Sequence, residues 1–423
     1  MTSQTDPIAT RDRQIGVLAL IVGGAFLANV LFYFYRVKFG GAVYPFNSFL
    51  PNGLFGDFFG SYNAWMAGGF ATASYGMAYF PSTFLFLQPF LLIPNPLVSA
   101  ICFSILVVGF TLGYAYRSIR SANTVGSWCN AILISLTSYP LLFEVATGNV
   151  EGLLFAFLVF FVYFYRAEKF AIAACFLAAA ASMKLFPAVF VVLFVADRRW
   201  RELAYFAGFT AFFTLAPLLL FYGGQYGPGG FAGYFERLHQ SVLAYSNLMI
   251  MTIAGMHYGH SLLNGLQAAL GPFFPSGAYG AKLYAFFTVV VFALVSLYVV
   301  YVERVFWKRI ALLTVAMCIL PYTSTDYKLL EIFIPLFLFI NRTDASRSDP
   351  LDRTYLVLFA LLLIPKTPLY LWHDGSASLN TVLNPLIMIV IVGLIVVSGL
   401  RRFDRSRLGR RVEGRVPDGL LRS

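Results

Sequence analysis

The sequence predicts an all-α polytopic membrane protein of about twelve transmembrane helices, with short half-helices and outer-face juxtamembrane helices among them. Three observations carry this. Hydrophobic residues make up 59% of the 423-residue chain and charged residues only 12%, more apolar surface than one soluble core can bury. The apolar runs approach the roughly 20 residues a helical span needs and are apolar on every face, unlike the period of two that barrel strands show. The basic residues gather in short clusters between those runs, which is how cytoplasmic loops are marked.

The elements follow in order once the basic clusters are placed inside. Residues 1–14 form a polar cytoplasmic N-terminus, and the run behind it lacks a small-residue cleavage site, so a retained signal-anchor is expected. A first span over 15–35 leads to an outer loop, 36–81. Residues 82–93 are apolar but too short to cross and run into Ile93-Pro94-Asn95-Pro96; they read as a half-inserted juxtamembrane helix. Residues 97–116 return, 127–142 go out and 150–165 come back. The interval 170–196 has basic flanks on both sides, so an even number of crossings must fit. A pair of half-helices meeting around Met183–Pro187 solves this, tolerated where the break is buried in protein or lines a polar cavity. One long span with a mis-sided flank is the alternative.

Residues 203–222 then lead to a second outer loop, 223–281, rich in Gly and aromatics. Residues 283–302 return, and short runs at 310–322 and 329–340 flank an outward turn at 323–328. Residues 341–353 lie inside, before spans at 354–371 and 385–400. The basic tail, 401–423, rests on anionic inner-leaflet lipid. The whole chain, 1–423, reads as a single integral-membrane domain with no soluble appendage and no strong internal repeat.

The net charge of +11 raises nucleic-acid binding, but its dispersal among membrane-flanking clusters argues against that partner. The four cysteines lie scattered in apolar segments without paired spacing, as core residues rather than a disulfide framework or a metal site.

Polar residues expected on the outer side are few. Asp57 lies in Gly-Asp-Phe-Phe-Gly-Ser-Tyr (56–62), and a lone carboxylate beside a bilayer is costly unless it is used. It suits a general base that takes a proton from a sugar hydroxyl; an N-capping aspartate is the structural alternative. Tyr62 shares its loop, and Tyr79 and Pro81 close that loop. Lys184 at the half-helix break could neutralise a phosphate, or pair with a buried carboxylate such as Glu151. Asp326 and Lys328 read equally as a substrate-contacting pair or a solvated turn. His257 and His260 share a helical spacing, yet Gly259 between them weakens a helix there, and no metal site is expected. Glu144 and Glu151 read as helix-end residues around a Gly148-Asn149 turn, and His373 with Asp374 marks a last outer turn. The aromatic content of 18% suits interfacial anchoring and, near the outer loops, stacking on sugar rings.

In order, GDFFGSYNAW (56–65), MAYFPSTFLFLQPF (77–90), GNVEGLLF (148–155), AASMKLFPAVFVV (181–193) with DRRWR (197–201), and PYTSTDYKLLEIFIP (321–335) resemble glycosyltransferase family 87. This family belongs to the C-type glycosyltransferase superfamily and includes polyprenyl-phosphate-mannose-dependent mannosyltransferases. The resemblance covers roughly 15–340. It implies a C-type fold, a hexosyltransferase activity and a bacterial plasma-membrane location with an outward-facing site. Its implied partners are a polyprenyl-phosphate sugar donor, a glycolipid or glycan acceptor and membrane lipids, with no cofactor besides the lipid-linked sugar. It implies Asp57 as catalytic base, a wall at Tyr79 and Pro81, and Lys184 before Pro187 near the donor. In the resulting reading Lys184 stabilises the departing phosphate with help from loop residues such as His257. Two departures stand out: Pro81-Ser82 where many members have Pro-Pro, and Asp326-Tyr327 where many have His-Tyr. The competing classes are a transporter or flippase of lipid-linked sugars, expected to carry ionisable groups at mid-membrane across several spans, and an O-antigen ligase or polymerase, expected to have a large outer loop rich in arginine and histidine. Residues 223–281 contain Arg237 as their one arginine.

Overall fold

In a computed structural model, the protein is described over residues 7–39, 54–68, 79–222, 229–251, 257–270, 278–342, 351–366 and 377–413. His373 and Asp374 lie outside these residues, as do parts of both outer loops. Within them the regular structure is helical, with one isolated bridge between Gly259 and Thr325.

Helix α1 spans Pro7–Lys38, followed by the short α2 (Gly56–Met66) and α3 (Pro81–Leu91). Helix α4 (Pro96–Ile119) starts at a well-formed cap: the Asn95 carboxamide oxygen accepts from the amides of Leu97 and Val98 at 2.9 and 3.1 Å, and Pro96 occupies the first turn. Helices α5 (Thr124–Ser135) and α6 (Tyr139–Thr147) are two arms of one apolar segment bent by 61° where Pro140 opens the second arm. Helix α7 (Glu151–Arg166) packs on α8 (Phe170–Met183), and α8 packs in turn on α10 (Trp200–Tyr222).

The break expected near Lys184 is present. Helix α8 stops at Met183, Lys184 is extended (φ −143°, ψ 134°), and a 3₁₀ turn over Phe186–Phe190 leads into α9 (Val191–Ala196). A single uninterrupted span here is excluded by that geometry. Beyond α11 (Gly230–Met251), α12 (Leu262–Leu270) and α13 (Ala278–Tyr301), the chain forms a buried hairpin. It runs through α14 (Phe306–Ile319), a 3₁₀ segment over Asp326–Ile332, and α15 (Phe333–Ile340). Helices α16 (Asp352–Leu363) and α17 (Leu379–Glu413) close the chain.

Long and short helices divide the work. Five helices among the described residues are long and apolar enough to cross a membrane: Thr10–Tyr35, Pro96–Ile119, Trp200–Leu220, Lys282–Tyr301 and Leu379–Arg401; the bent α5–α6 pair would make a sixth. Most of their residues are not buried, and Leu219, Leu220, Phe286 and Val289 are largely exposed, as lipid-facing side chains would be. The remaining crossings expected from sequence fall on shorter helices. Of these, α14 and α15 are buried on all sides, and Phe155, Phe161, Phe194, Phe333 and Phe337 are at the centre of the core. The molecule is thus an all-α membrane protein with a lipid-facing perimeter around short interior helices.

Candidate active site

The segment Gly148-Asn149-Val150-Glu151-Gly152 builds the site. Gly148 ends α6 in the left-handed conformation (φ 64°), and a Cβ there would sit 2.8 Å from Cβ of Phe58. Only glycine meets both demands. The amide of Phe55 donates to the Ala146 carbonyl at 2.7 Å, so α2 is docked on the end of α6. That docking brings Asp57, in the first turn of α2, to Asn149. At the other end of the segment, a Cβ on Gly152 would lie 2.5 Å from Val107, and the Gly152 amide donates to Oε1 of Glu144 at 2.8 Å. Glu144 therefore pins the start of α7.

Asn149 is the centre of a charged network. Its Nδ2 donates to Oδ2 of Asp57 at 2.6 Å and to the Tyr79 hydroxyl at 3.0 Å. Its Oδ1 accepts from Nζ of Lys184 at 2.9 Å, and Lys184 also donates to Oε2 of Glu151 at 2.5 Å. The ammonium lies 5.5 Å from the Tyr79 ring centroid and 5.0 Å from that of Tyr327, within cation–π range. Two hydroxyls brace the end of α8 that carries it. Ser82 donates to the Ser182 carbonyl and Thr83 to the Met183 carbonyl at 3.3 Å, so the carbonyls left over at the end of α8 are capped from α3. Ser82, the departure from Pro-Pro, has this specific use.

Asp57 is half-buried. Burial pushes its carboxyl above the ordinary carboxylate range, opposed by the Asn149 hydrogen bond and by the Lys184 charge. The capping alternative is not what forms: Phe55 holds the cap position of α2 with no side-chain cap bond, and the Asp57 carboxylate faces Asn149 instead. For Lys184, the pairing with Glu151 is realised, and the same ammonium reaches Asn149 beside Asp57.

Other expected residues have different surroundings. The Tyr62 hydroxyl donates to the carbonyls of Ile93 and Pro94, at 2.9 and 2.8 Å, and ties α2 to the turn before α4. Asp326 is neither solvated nor open, being fully buried. Its Oδ2 accepts from the Tyr139 hydroxyl at 2.8 Å and from Asn380, and its Oδ1 lies 3.0 Å from Nδ1 of His260. His260 Nε2 meets Ser324 Oγ at 3.0 Å. Burial holds the His260 pKa down, opposed by Asp326; a neutral ring donating to Asp326 and accepting from Ser324 satisfies both nitrogens. This closed set joins the 257–264 segment, the 3₁₀ turn and α17, which is a structural junction. Lys328 is buried too, donating to the Thr323 carbonyl at 3.3 Å with its ammonium 3.7 Å from the Phe186 ring centroid. It backs the 3₁₀ turn behind Lys184. His257 is buried next to Tyr258, which packs with Phe143, Tyr139 and Tyr327 as an aromatic wall leading to Lys184.

Asn149 was foreseen only as part of a turn. A neutral amide raises no charge signal, and its partners lie 92, 70 and 35 residues away in sequence. The motif GNVEG itself was the available hint.

A half-buried carboxylate with a raised pKa, an ammonium two bonds away through an amide, and an aromatic wall can accept a proton and hold an anionic group next to a ring-shaped ligand. The sequence model of glycosyltransferase family 87 matches residues 78–323, more than half of the chain and the stretch that contributes Tyr79, Asn149, Glu151 and Lys184. No curated protein and no solved structure matches it. The chain belongs to glycosyltransferase family 87 and is a membrane glycosyltransferase.

Proposed function

We propose that the enzyme takes mannose or a related hexose or pentose from a polyprenyl-phosphate donor. The acceptor is a hydroxyl of a lipid-linked or exported glycan, on the outer face of the bacterial inner membrane. The observation that supports this best is the Asp57–Asn149–Lys184 chain, which sets a proton acceptor and a cation side by side at the broken end of α8. Asp57 takes the acceptor proton as the acceptor oxygen forms its bond to the anomeric carbon. The bond from that carbon to the phosphate oxygen breaks, and its electron pair leaves with polyprenyl phosphate. An ammonium has three N–H donors. Two go to Asn149 and Glu151, and we assign the third to a donor phosphate oxygen, with His257 assisting from the aromatic wall. The leaving phosphomonoester needs cationic or hydrogen-bond neutralisation, which these groups provide without a further cofactor.

A C-type arrangement of about twelve crossings accompanies this reading, the shorter helices making those beyond the long ones. Transfer from radiolabelled polyprenyl-phosphate sugars by purified protein tests it. Sugar-dependent product from wild type and none from Asp57→Asn is the expected result. Failure of wild type with every such donor, together with scrambling of lipid-linked sugar in vesicles, would replace the transferase chemistry with transport.

A further inference from the structure

A second site lies at the opposite end of α7. A cavity of about 970 Å³ opens between α1, α4, α7 and α15, and Arg11, Arg117, Arg120 and Arg166 line it. Arg11 is built into the wall. Its guanidinium donates to the carboxamide oxygen of Asn341 at 3.1 and 3.0 Å and to the Ser118 carbonyl at 2.9 Å, and lies 3.7 Å from Asp12. Arg117, Arg120 and Arg166 have no carboxylate partner among the described residues. Arg117 lies 5.9 Å from the Tyr163 ring centroid, on the cavity wall.

The cavity continues as an apolar groove between α4 and α7. Gly109 and Gly113, one turn apart on α4, line it, and a Cβ on either would meet no atom within 4 Å. These glycines serve no close helix contact; they keep the groove open. Across from them Phe160 is 38% exposed, an apolar wall open to the side. A basic pocket at the membrane surface continuous with an apolar channel matches one ligand chemistry: an anionic head with a hydrocarbon chain. A free anion would need the arginines but not the groove.

We infer that this cavity binds an anionic phospholipid of the cytoplasmic leaflet, its phosphate held by Arg117 and Arg166 and an acyl chain lying over Gly109 and Gly113. The clustering of basic residues at this end sets the leaflet. The site is separate from Asp57: from Glu151 to Arg166, α7 spans about 22 Å at the usual rise per residue.

The test uses the full-length protein in detergent, titrated with phosphatidylglycerol, phosphatidylcholine, polyprenyl phosphate and inorganic phosphate, with bound lipid read by native mass spectrometry. Phosphatidylglycerol should bind in preference to the others. The double variant Arg117→Gln/Arg166→Gln should weaken it by about tenfold or more. Gly109→Leu should also displace it, with all four arginines intact. The Arg117→Lys/Arg166→Lys variant keeps the charge and should retain binding, which separates loss of the site from loss of the fold. Equal binding of phosphatidylcholine, preference for polyprenyl phosphate, or full competition by inorganic phosphate would overturn the inference. The readout is independent of sugar transfer.

Discussion

At the N-terminal end of α7, Glu151 is paired with Lys184, Asn149 links that pair to Asp57, and Tyr79 completes the set within hydrogen-bonding distance. At its C-terminal end, Arg166 joins three other arginines around an open cavity. Among the described residues, Arg11 is the one of the four with a carboxylate within ion-pair distance. The same helix thus carries one end where charged groups are hydrogen-bonded to one another inside the protein. At the other, three arginines have no carboxylate partner among the described residues. Matched charge gives fixed geometry, as a proton acceptor at a reacting centre requires. Unmatched basic charge at a membrane surface gives affinity for an anionic headgroup instead.

Variants at the two ends should diverge. The largest effect is expected from Asp57→Asn, which keeps the shape of the side chain and removes the proton acceptor. Turnover should fall by about 10²–10⁴-fold with an unchanged melting curve. A variant that transfers normally would remove Asp57 from the chemistry. Next, Lys184→Met leaves the buried Glu151 uncompensated and should destabilise the protein by about 3–5 kcal/mol. Lys184→Met/Glu151→Gln should recover most of that stability without recovering transfer. At the other end of α7, Arg166→Gln should shift stability by no more than about 0.5 kcal/mol. Similar losses from Lys184→Met and Arg166→Gln would erase the contrast.

Gly148→Ala places a Cβ at positive φ and against Phe58, and should cost about 1–3 kcal/mol while loosening Asp57 from Asn149. The smallest effect is a displaced pH profile. In the proposed mechanism Asp57 acts as carboxylate, so the rate should fall as pH drops through its pKa. Burial raises that pKa and the Asn149 N–H lowers it. Removing the donor in Asn149→Ala should therefore move the acid limb to higher pH, read from kcat/KM across pH. A limb that stays in place or moves down would show that Asn149 does not tune this carboxylate.

Much of the interior plan was legible because charge punctuates a membrane sequence. Basic flanks around 170–196 forced an even parity, and the break at Lys184 follows from it. Asp57 stood out as an acid among apolar neighbours. What stayed hidden depended on contacts distant in sequence. Asp326 looked like a turn residue because its partners, Tyr139, His260 and Asn380, come from three other segments. Tyr62 reads as a site residue from its place in the same loop as Asp57; what could not be read is that its hydroxyl meets the carbonyls of Ile93 and Pro94, 31 and 32 residues on. The arginine cavity was hidden in plain view. Each cluster had a sufficient explanation as a topology marker, and nothing linear signals that Arg11, Arg117 and Arg166 line the same space.

The buried hairpin of α14 and α15 also dictates how the chain is made. Glu331 lies inside the run 329–340, and Lys308, Arg309, Asp326 and Lys328 border the two runs. Such a segment partitions poorly into hydrocarbon by itself, a charge at the centre of a span costing about 2.5–3.5 kcal/mol at insertion. Yet in the finished molecule these residues are enclosed by protein. In the finished fold α4 and α7, made earlier, and α17, made later, all pack against the hairpin. Full enclosure of the hairpin therefore waits for α17, and truncation after α15 should leave part of it uncovered.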